Sequence, residues 1–168
     1  MAKKVYLILN RCLGCEECVE GCKKEHGGYA NCFVVKPAGK FPTIPMRCAH
    51  CEDPNCLKSC SAEAITKNED GIVLIDPEKC NGCRNCVVAC PFGMIQIHPE
   101  TNKALKCDLC IDRQKEGKIP VCVENCALQA LVFGEASEFE KTDKQKQAAK
   151  RIHELDKLLP EVVVAKEG

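Results

Sequence analysis

Between Cys80 and Pro91 the sequence runs C-N-G-C-R-N-C-V-V-A-C-P, a C-x2-C-x2-C-x3-C-P spacing. That spacing constrains the chain more than any periodicity in it. Three thiolates so close together wrap one [4Fe–4S] cubane, and the fourth, Cys90, points away to ligate a second cluster. The motif therefore requires a partner motif, and the chain offers three. Cys12, Cys15, Cys18 and Cys22 repeat the spacing, with Lys23 where Pro91 follows Cys90. Cys48, Cys51, Cys56 and Cys60 widen the middle gap to four residues, and Cys107, Cys110, Cys122 and Cys126 widen it to eleven. All four motifs close with C-x3-C.

Composition agrees with a metal-built interior. Of 168 residues, 17 are Cys, and the apolar fraction of 45% counts them. Without them it falls to roughly 35%, thin for a self-sufficient core at this length. Ligation free energy would supply the difference, because metal binding then becomes folding free energy. The rival use of so many cysteines is a disulfide scaffold, which needs an oxidising compartment and a signal for export. The apolar run Val5–Leu9 is only five residues long and Arg11 follows closely, too short for a signal core. No stretch reaches the apolar length of a membrane span. The expectation is a reducing cytoplasm, with no direct membrane insertion. The net charge is zero, which gives no reason to expect a nucleic-acid partner.

Along the chain, a β-prone stretch at 5–9 feeds the first motif. Residues 23–33 read as a polar, Gly-rich surface loop, and Cys32 within it as a small buried hydrophobe. Pro37, Pro42 and Pro45 make 36–45 a linker. His50 stands between two cysteines of the second motif; its expected role is a hydrogen bond near a cluster or a place at a partner surface. Ala64–Lys67, a turn at 68–71 and Ile72–Asp76 predict a strand–turn–strand unit. After the last Cys of three motifs a pattern recurs, S-A-E-A-I, P-F-G-M-I and A-L-Q-A-L, each ending in an aliphatic residue that begins a strand. Residues 136–168 carry no Cys; Ser137-x-x-Glu140 is a capping box and an amphipathic helix is expected to follow.

Because each motif lends its last Cys to another cluster, motifs work in pairs. Residues 48–95 alone read like a complete two-cluster ferredoxin, which pairs the second and third motifs and leaves the first to the fourth. The fold class expected is α+β: two bacterial-ferredoxin-like modules, one nested inside the other, with a C-terminal helical extension. The outer module would be 1–36 with 99–135, the inserted one 37–98, and the helix and tail 136–168. Two modules in tandem remain the alternative.

The chain resembles the four-cluster iron–sulfur subunits of the dimethyl sulfoxide reductase type, which include small subunits of carbon monoxide dehydrogenase, formate dehydrogenase and formate hydrogenlyase systems. The likeness covers about residues 5–133. Cys48-x-His50-Cys51-x4-Cys56-x3-Cys60 matches that family's second motif, histidine included. Cys107-Asp108-Leu109-Cys110-x2-Arg113-x3-Gly117-x2-Pro120-x-Cys122-x3-Cys126 matches its fourth. The resemblance implies nested pairing and four [4Fe–4S] clusters. One would take Cys12, Cys15, Cys18 and Cys126, and a second Cys107, Cys110, Cys122 and Cys22. A third would take Cys48, Cys51, Cys56 and Cys90, and a fourth Cys80, Cys83, Cys86 and Cys60. Lys23, Ser61 and Ala127 stand where the family usually has Pro. Members with membrane partners often carry an export signal or a C-terminal anchor; neither is read here, which implies the soluble cytoplasmic branch.

No Gly-rich phosphate loop or dinucleotide fingerprint is present, and thiolates committed to iron are not nucleophiles. The chemistry left is one-electron transfer, so the chain is expected to be an electron-transfer subunit with no catalytic site of its own. Its expected partners are a catalytic, low-potential oxidoreductase and an acceptor enzyme such as a hydrogenase or a flavin reductase. Carbon monoxide dehydrogenase is the first choice of donor, with formate dehydrogenase and aldehyde oxidoreductase as alternatives. A conducting filament of stacked subunits, scaffolding catalytic ones, is a structural alternative. A zinc-binding interaction module competes only weakly, because the recurring C-x3-C exit and the C-P step are not zinc-like.

Overall fold

A computed structural model describes residues 3–35 and 44–139. The chain divides into two compact units, Met1–Gly134 and Glu135–Gly168. Of the second unit the described part holds a short helix, Ala136–Phe139. The capping partner Glu140 and the amphipathic helix expected beyond it lie outside the described residues, as do residues 36–43 of the expected linker.

The first unit is a small mixed assembly of helices and strands, none longer than nine residues. In chain order it comprises β1 (Lys4–Leu7), α1 (Glu17–Glu25), β2 (Cys32–Val35), β3 (Ile44–Arg47), α2 (Asn55–Lys58), β4 (Ile65–Lys67), β5 (Val73–Ile75), α3 (Asn85–Ala89), β6 (Gln96–Ile97), β7 (Ala104–Leu105), α4 (Ile111–Lys115), α5 (Val121–Glu124) and β8 (Leu131–Gly134). The strands form four antiparallel ribbons, β1–β8, β2–β3, β4–β5 and β6–β7. Lys4 faces Gly134 and Leu7 faces Leu131, so the first ribbon joins opposite ends of the Cys-rich region. The other three join neighbours in sequence.

Ribbons this small cannot stand alone in water. They are held by two apolar clusters that include cysteine. Val5, Ile72, Leu109, Cys122 and Leu131 form one, with Cys18, Cys107 and Cys126 packed against it. Ile65, Val73, Cys86, Ile95 and Ala104 form the other, with Cys56, Cys60, Cys80 and Cys90 around it. The first collects cysteines of motifs one and four; the second collects those of motifs two and three.

Two sequence expectations need correction. The surface loop of 23–33 is helical through Glu25 and extended from Cys32, because Cys32 pairs with Arg47 and Phe33 with Met46. The Pro-rich linker does not reach residue 45: Ile44 and Pro45 belong to β3, opposite Val35 and Val34. A proline fits there because the ribbon has only two strands, so every strand is an edge. The strand–turn–strand reading of 64–76 corresponds to β4 and β5, closed by Gly71 N–H donating to the Asn68 carbonyl at 3.0 Å.

Candidate functional site

The four motifs share one local geometry despite their different spacings. The residue before the second Cys has a positive φ in each: Gly14 (70°), His50 (46°), Gly82 (73°) and Leu109 (58°). A left-handed residue among ordinary ones turns successive N–H groups toward one side, the arrangement that favours anions. The third Cys of every motif is then the second residue of a short helix, as Cys18, Cys56, Cys86 and Cys122 show. The first turn of a helix carries N–H groups without helical partners, which offset part of what burial costs a thiolate at these positions.

The exits repeat as well. The third residue after the fourth Cys is left-handed in three motifs, at Glu63, Gly93 and Gln129. In each, its N–H donates back to the carbonyl of the fourth Cys, at 3.2, 3.2 and 2.8 Å. These are the three exits in which the sequence pattern recurs. After Cys22 the chain stays helical to Glu25, so the first motif lacks this turn.

Tertiary packing gathers cysteines crosswise. One hollow, with about 330 Å³ of atom-free space, is lined by Cys80, Cys83 and Cys86 of the third motif and Cys60 of the second. Another, of about 360 Å³, is lined by Cys48, Cys51 and Cys56 of the second and Cys90 of the third. In the other half, Cys18, Cys107, Cys122 and Cys126 share one apolar cluster. There α1 packs on α5, which brings the helix holding Cys18 and Cys22 against the helix holding Cys122.

The sulfurs are already solvated by backbone. Cys126 Sγ accepts N–H bonds from Ala130 (3.2 Å) and Leu131 (3.5 Å), and Cys90 Sγ accepts one from Met94 (3.4 Å). Cys22, Cys80 and Cys107 accept one each, from Asn31, Ala104 and Leu109. Burial pushes the Cys122 thiol up to about 12 and raises Cys107, Cys56 and Cys86. Cys18 rises to about 11, first through burial and then through its neighbour Cys15. Cys22 moves the other way, to about 5, because Cys32 hydrogen-bonds its sulfur and His26 stands beside it. At crowded thiols that resist ionisation a metal cation takes the proton's place on sulfur, and the displaced proton goes to solvent. An all-sulfur donor set with N–H groups on its sulfurs fits an iron–sulfur cluster, whose thiolates and sulfides both need such donors.

His50 is 2% exposed, so the alternative that placed it at a partner surface is wrong. Its Nδ1 accepts the Val73 N–H at 3.0 Å, which puts the ring proton on Nε2. Burial, and then the Lys106 charge, lower its basicity to about 3 and hold it neutral. Cys32 is buried as expected, but it is not a simple hydrophobe: its thiol points to the Cys18 carbonyl at 3.6 Å.

Several site residues escaped the sequence reading. His26, assigned to a loop, lies 3.7 Å from Cys110 Sγ and 3.7 Å from an Asp108 oxygen. Hydrogen bonds with Cys110 and Cys22, and then Asp108, raise it to about 10. Its position four residues after Cys22, on the same helical face, was the available signal. Arg113, noted only as part of a motif, ties three helices together. It pairs with Glu25 of α1 at 3.1 Å and Glu124 of α5 at 2.5 Å, and donates to the Ile119 carbonyl at 3.1 Å. Lys106 is 6% exposed and lines the hollow of Cys48, Cys51, Cys56 and Cys90.

Residues 40–136 match the family model of a 4Fe-4S dicluster domain. The chain is 36% identical over 160 residues to one of the polypeptides of the anaerobic dimethyl sulfoxide reductase of Escherichia coli K12, covering 81% of this chain and 75% of that protein. It is also 36% identical over 138 residues to a tetrathionate reductase subunit of Salmonella typhimurium LT2, covering 76% of this chain and 55% of that one. Protein NrfC of Escherichia coli K12 is 36% identical over 135 residues, covering 73% of this chain and 60% of its own. The repeated Cys turns, the sulfur-lined hollows and these matches together place the chain in the 4Fe-4S dicluster domain family, as an iron–sulfur electron-transfer subunit akin to that of anaerobic dimethyl sulfoxide reductase.

Proposed function

We propose that the chain holds four [4Fe–4S] clusters and relays electrons between a catalytic oxidoreductase subunit and a second redox partner. The observation that carries this reading is the crosswise lining of the two hollows. Cys90 joins Cys48, Cys51 and Cys56, and Cys60 joins Cys80, Cys83 and Cys86. That is the ligand exchange a two-cluster module requires. For the outer pair the same exchange assigns Cys126 to Cys12, Cys15 and Cys18, and Cys22 to Cys107, Cys110 and Cys122. The β1–β8 ribbon and the shared cluster around Leu109 and Leu131 support that assignment. They also support nesting of residues 37–98 within 1–36 and 99–135 over a tandem order. The ribbons β2–β3 and β6–β7 then straddle the two junctions between modules.

When bound, each cluster supplies a one-electron carrier. The chain's own residues hold the sulfurs, place N–H groups on them and keep water away with Ile65, Val73, Ile95 and Leu131. No helix among the described residues is long and apolar enough to cross a membrane. A reducing, cytoplasmic setting is proposed because sixteen ligand thiols must escape oxidation. The chain is proposed to lack a catalytic site of its own. The relatives' names point to reductase complexes acting on dimethyl sulfoxide or tetrathionate. They offer nothing for the carbon monoxide or formate dehydrogenase donor expected from sequence, so the partner is assigned by class, as a catalytic reductase subunit.

Anaerobic purification tests the proposal. A brown protein with roughly sixteen irons per chain, four per cluster, is the expected result. A colourless chain carrying zinc would refute it. In Cys90→Ser the cluster held by the second motif is lost or altered while that of the third motif survives; the reverse pattern sinks the crosswise assignment.

A further inference from the structure

A basic residue precedes the first Cys of all four motifs, Arg11, Arg47, Lys79 and Lys106; Arg11 and Lys79 are exposed, whereas Arg47 and Lys106 are not. Arg47 precedes the first Cys of the second motif, and Lys106 precedes the first Cys of the fourth. Each reaches away from its own motif to the backbone of a strand in the other half. The Arg47 guanidinium donates to the Val5 carbonyl of β1. The Lys106 ammonium donates to the Val73 carbonyl of β5, and also to the Cys107 carbonyl at 2.8 Å. β1 leads into the first motif and β5 into the third, so the two contacts are related by the same internal repeat that relates the motifs.

Each cation also ends in the half of the fold opposite its own motif, in surroundings that include cysteines of that half. Lys106 lines the hollow of Cys48, Cys51, Cys56 and Cys90. Arg47 ends on the carbonyl of Val5, which packs in one apolar cluster with Cys122, with Cys107 against it. Among the described residues no carboxylate pairs with either cation. Lys106 is buried and Arg47 partly buried. A buried charge held only by neutral carbonyls is expensive unless an anion stands nearby. The anion available at both places is a thiolate-ligated cluster, which becomes more negative on reduction.

Resting on the cluster assignment above, we propose that Lys106 and Arg47 are a reciprocal pair of potential-setting cations at the joint of the two cluster pairs. Lys106 favours the reduced form of the cluster held by Cys48, Cys51, Cys56 and Cys90. Arg47 favours that of the cluster held by Cys107, Cys110, Cys122 and Cys22. A nearby positive charge lowers the cost of adding an electron and so raises the potential. The two clusters on either side of the joint thereby become better electron acceptors than their own ligands and hydrogen bonds alone would make them. This eases passage from one half to the other.

The test uses the full chain, purified anaerobically, with iron and sulfide assayed before a redox titration followed by electron paramagnetic resonance. Lys106→Met and Arg47→Met are each expected to keep full iron. Each should weaken the electron affinity of one cluster roughly tenfold, a fall of about 59 mV for a one-electron couple. The cluster that shifts most should differ between the two variants, and Lys106→Arg should titrate like the parent. Unchanged midpoints in both Met variants at full iron overturn the proposal. So does the same cluster taking the largest shift in both, or a Lys106→Arg shift as large as that of Lys106→Met, which would mean that shape rather than charge matters. Lys106→Gln keeps a donor for the carbonyls without the charge and gives the reading if Lys106→Met loses iron. Loss of iron in every charge-removing variant makes the pair structural and overturns the proposal. A parent chain without iron overturns the cluster assignment as well, and the iron assay separates that failure from a flat titration.

Discussion

Gly21 lies in α1 where that helix packs on α5, and a Cβ placed there meets Asn125 at 2.3 Å (Nδ2), 2.9 Å (Cγ) and 3.4 Å (Cβ). Two effects of Gly21→Ala oppose each other. Within a helix Ala is favoured over Gly by roughly 0.5–1 kcal/mol. Forcing an atom into an occupied contact costs about 1–3 kcal/mol. The two shortest approaches lie far inside van der Waals contact, so overpacking outweighs the propensity gain, with a net cost of up to about 2.5 kcal/mol. Asn125→Ala removes both offending atoms and leaves only the 3.4 Å contact, an ordinary one. In that background Gly21→Ala should stabilise by roughly 0.5–1 kcal/mol, so its effect changes sign. The parent, the two single variants and the double variant are compared anaerobically, by thermal loss of cluster absorbance at one scan rate. Iron per chain is measured on each, because cluster loss makes the transition irreversible. Iron lost from Gly21→Ala should come from the sites of motifs one and four, since α1 carries Cys18 and Cys22 and Asn125 precedes Cys126. Equal destabilisation by Gly21→Ala with and without the Asn125 side chain would refute the packing argument.

Three further outcomes are expected. Arg113→Met removes the bonds to Glu25, Glu124 and the Ile119 carbonyl and should cost about 1–2 kcal/mol, shrinking as salt is added; a cost independent of salt in the same thermal assay would speak against the ion pairs. His50→Leu strands the buried Val73 N–H and should cost about 1–3 kcal/mol, whereas His50→Asn, which tolerates a φ of 46° and offers an acceptor, recovers part of it. Equal losses in the two variants would rule out the hydrogen bond as the reason. Stripping the iron with a chelator should abolish the native far-UV circular dichroism, because ligation supplies much of the folding free energy; a chain that keeps its native spectrum without iron would contradict this.

The motifs were legible because ligation chemistry writes itself into spacing. Once Cys80 to Cys90 is read, C-x3-C identifies the degenerate copies, and the strand–turn–strand at 64–76 follows from its own residues. The shared left-handed residue before each second Cys was legible only at Gly14 and Gly82. His50 and Leu109 adopt the same φ with ordinary side chains. Strands β2, β3 and β7 were missed for a different reason. Two to four residues are too few to show alternation, and Pro45 argues against a strand unless the ribbon is known to have two free edges.

By itself the sequence determined which donors are on offer: sixteen thiols in four sets, a residue pattern that recurs after three of them, and an interior poor in large apolar side chains. These properties are local, set by residues within a few positions of one another. Only the tertiary structure decided which sets face which hollow, that β1 meets β8 across the length of the Cys-rich region, that His26 and Lys106 lie beside cysteines, and that Arg47 reaches the backbone of β1. Those relations depend on contacts between distant segments, and a buried cation held by a carbonyl from the other half of the fold leaves no mark on the residues beside it in sequence.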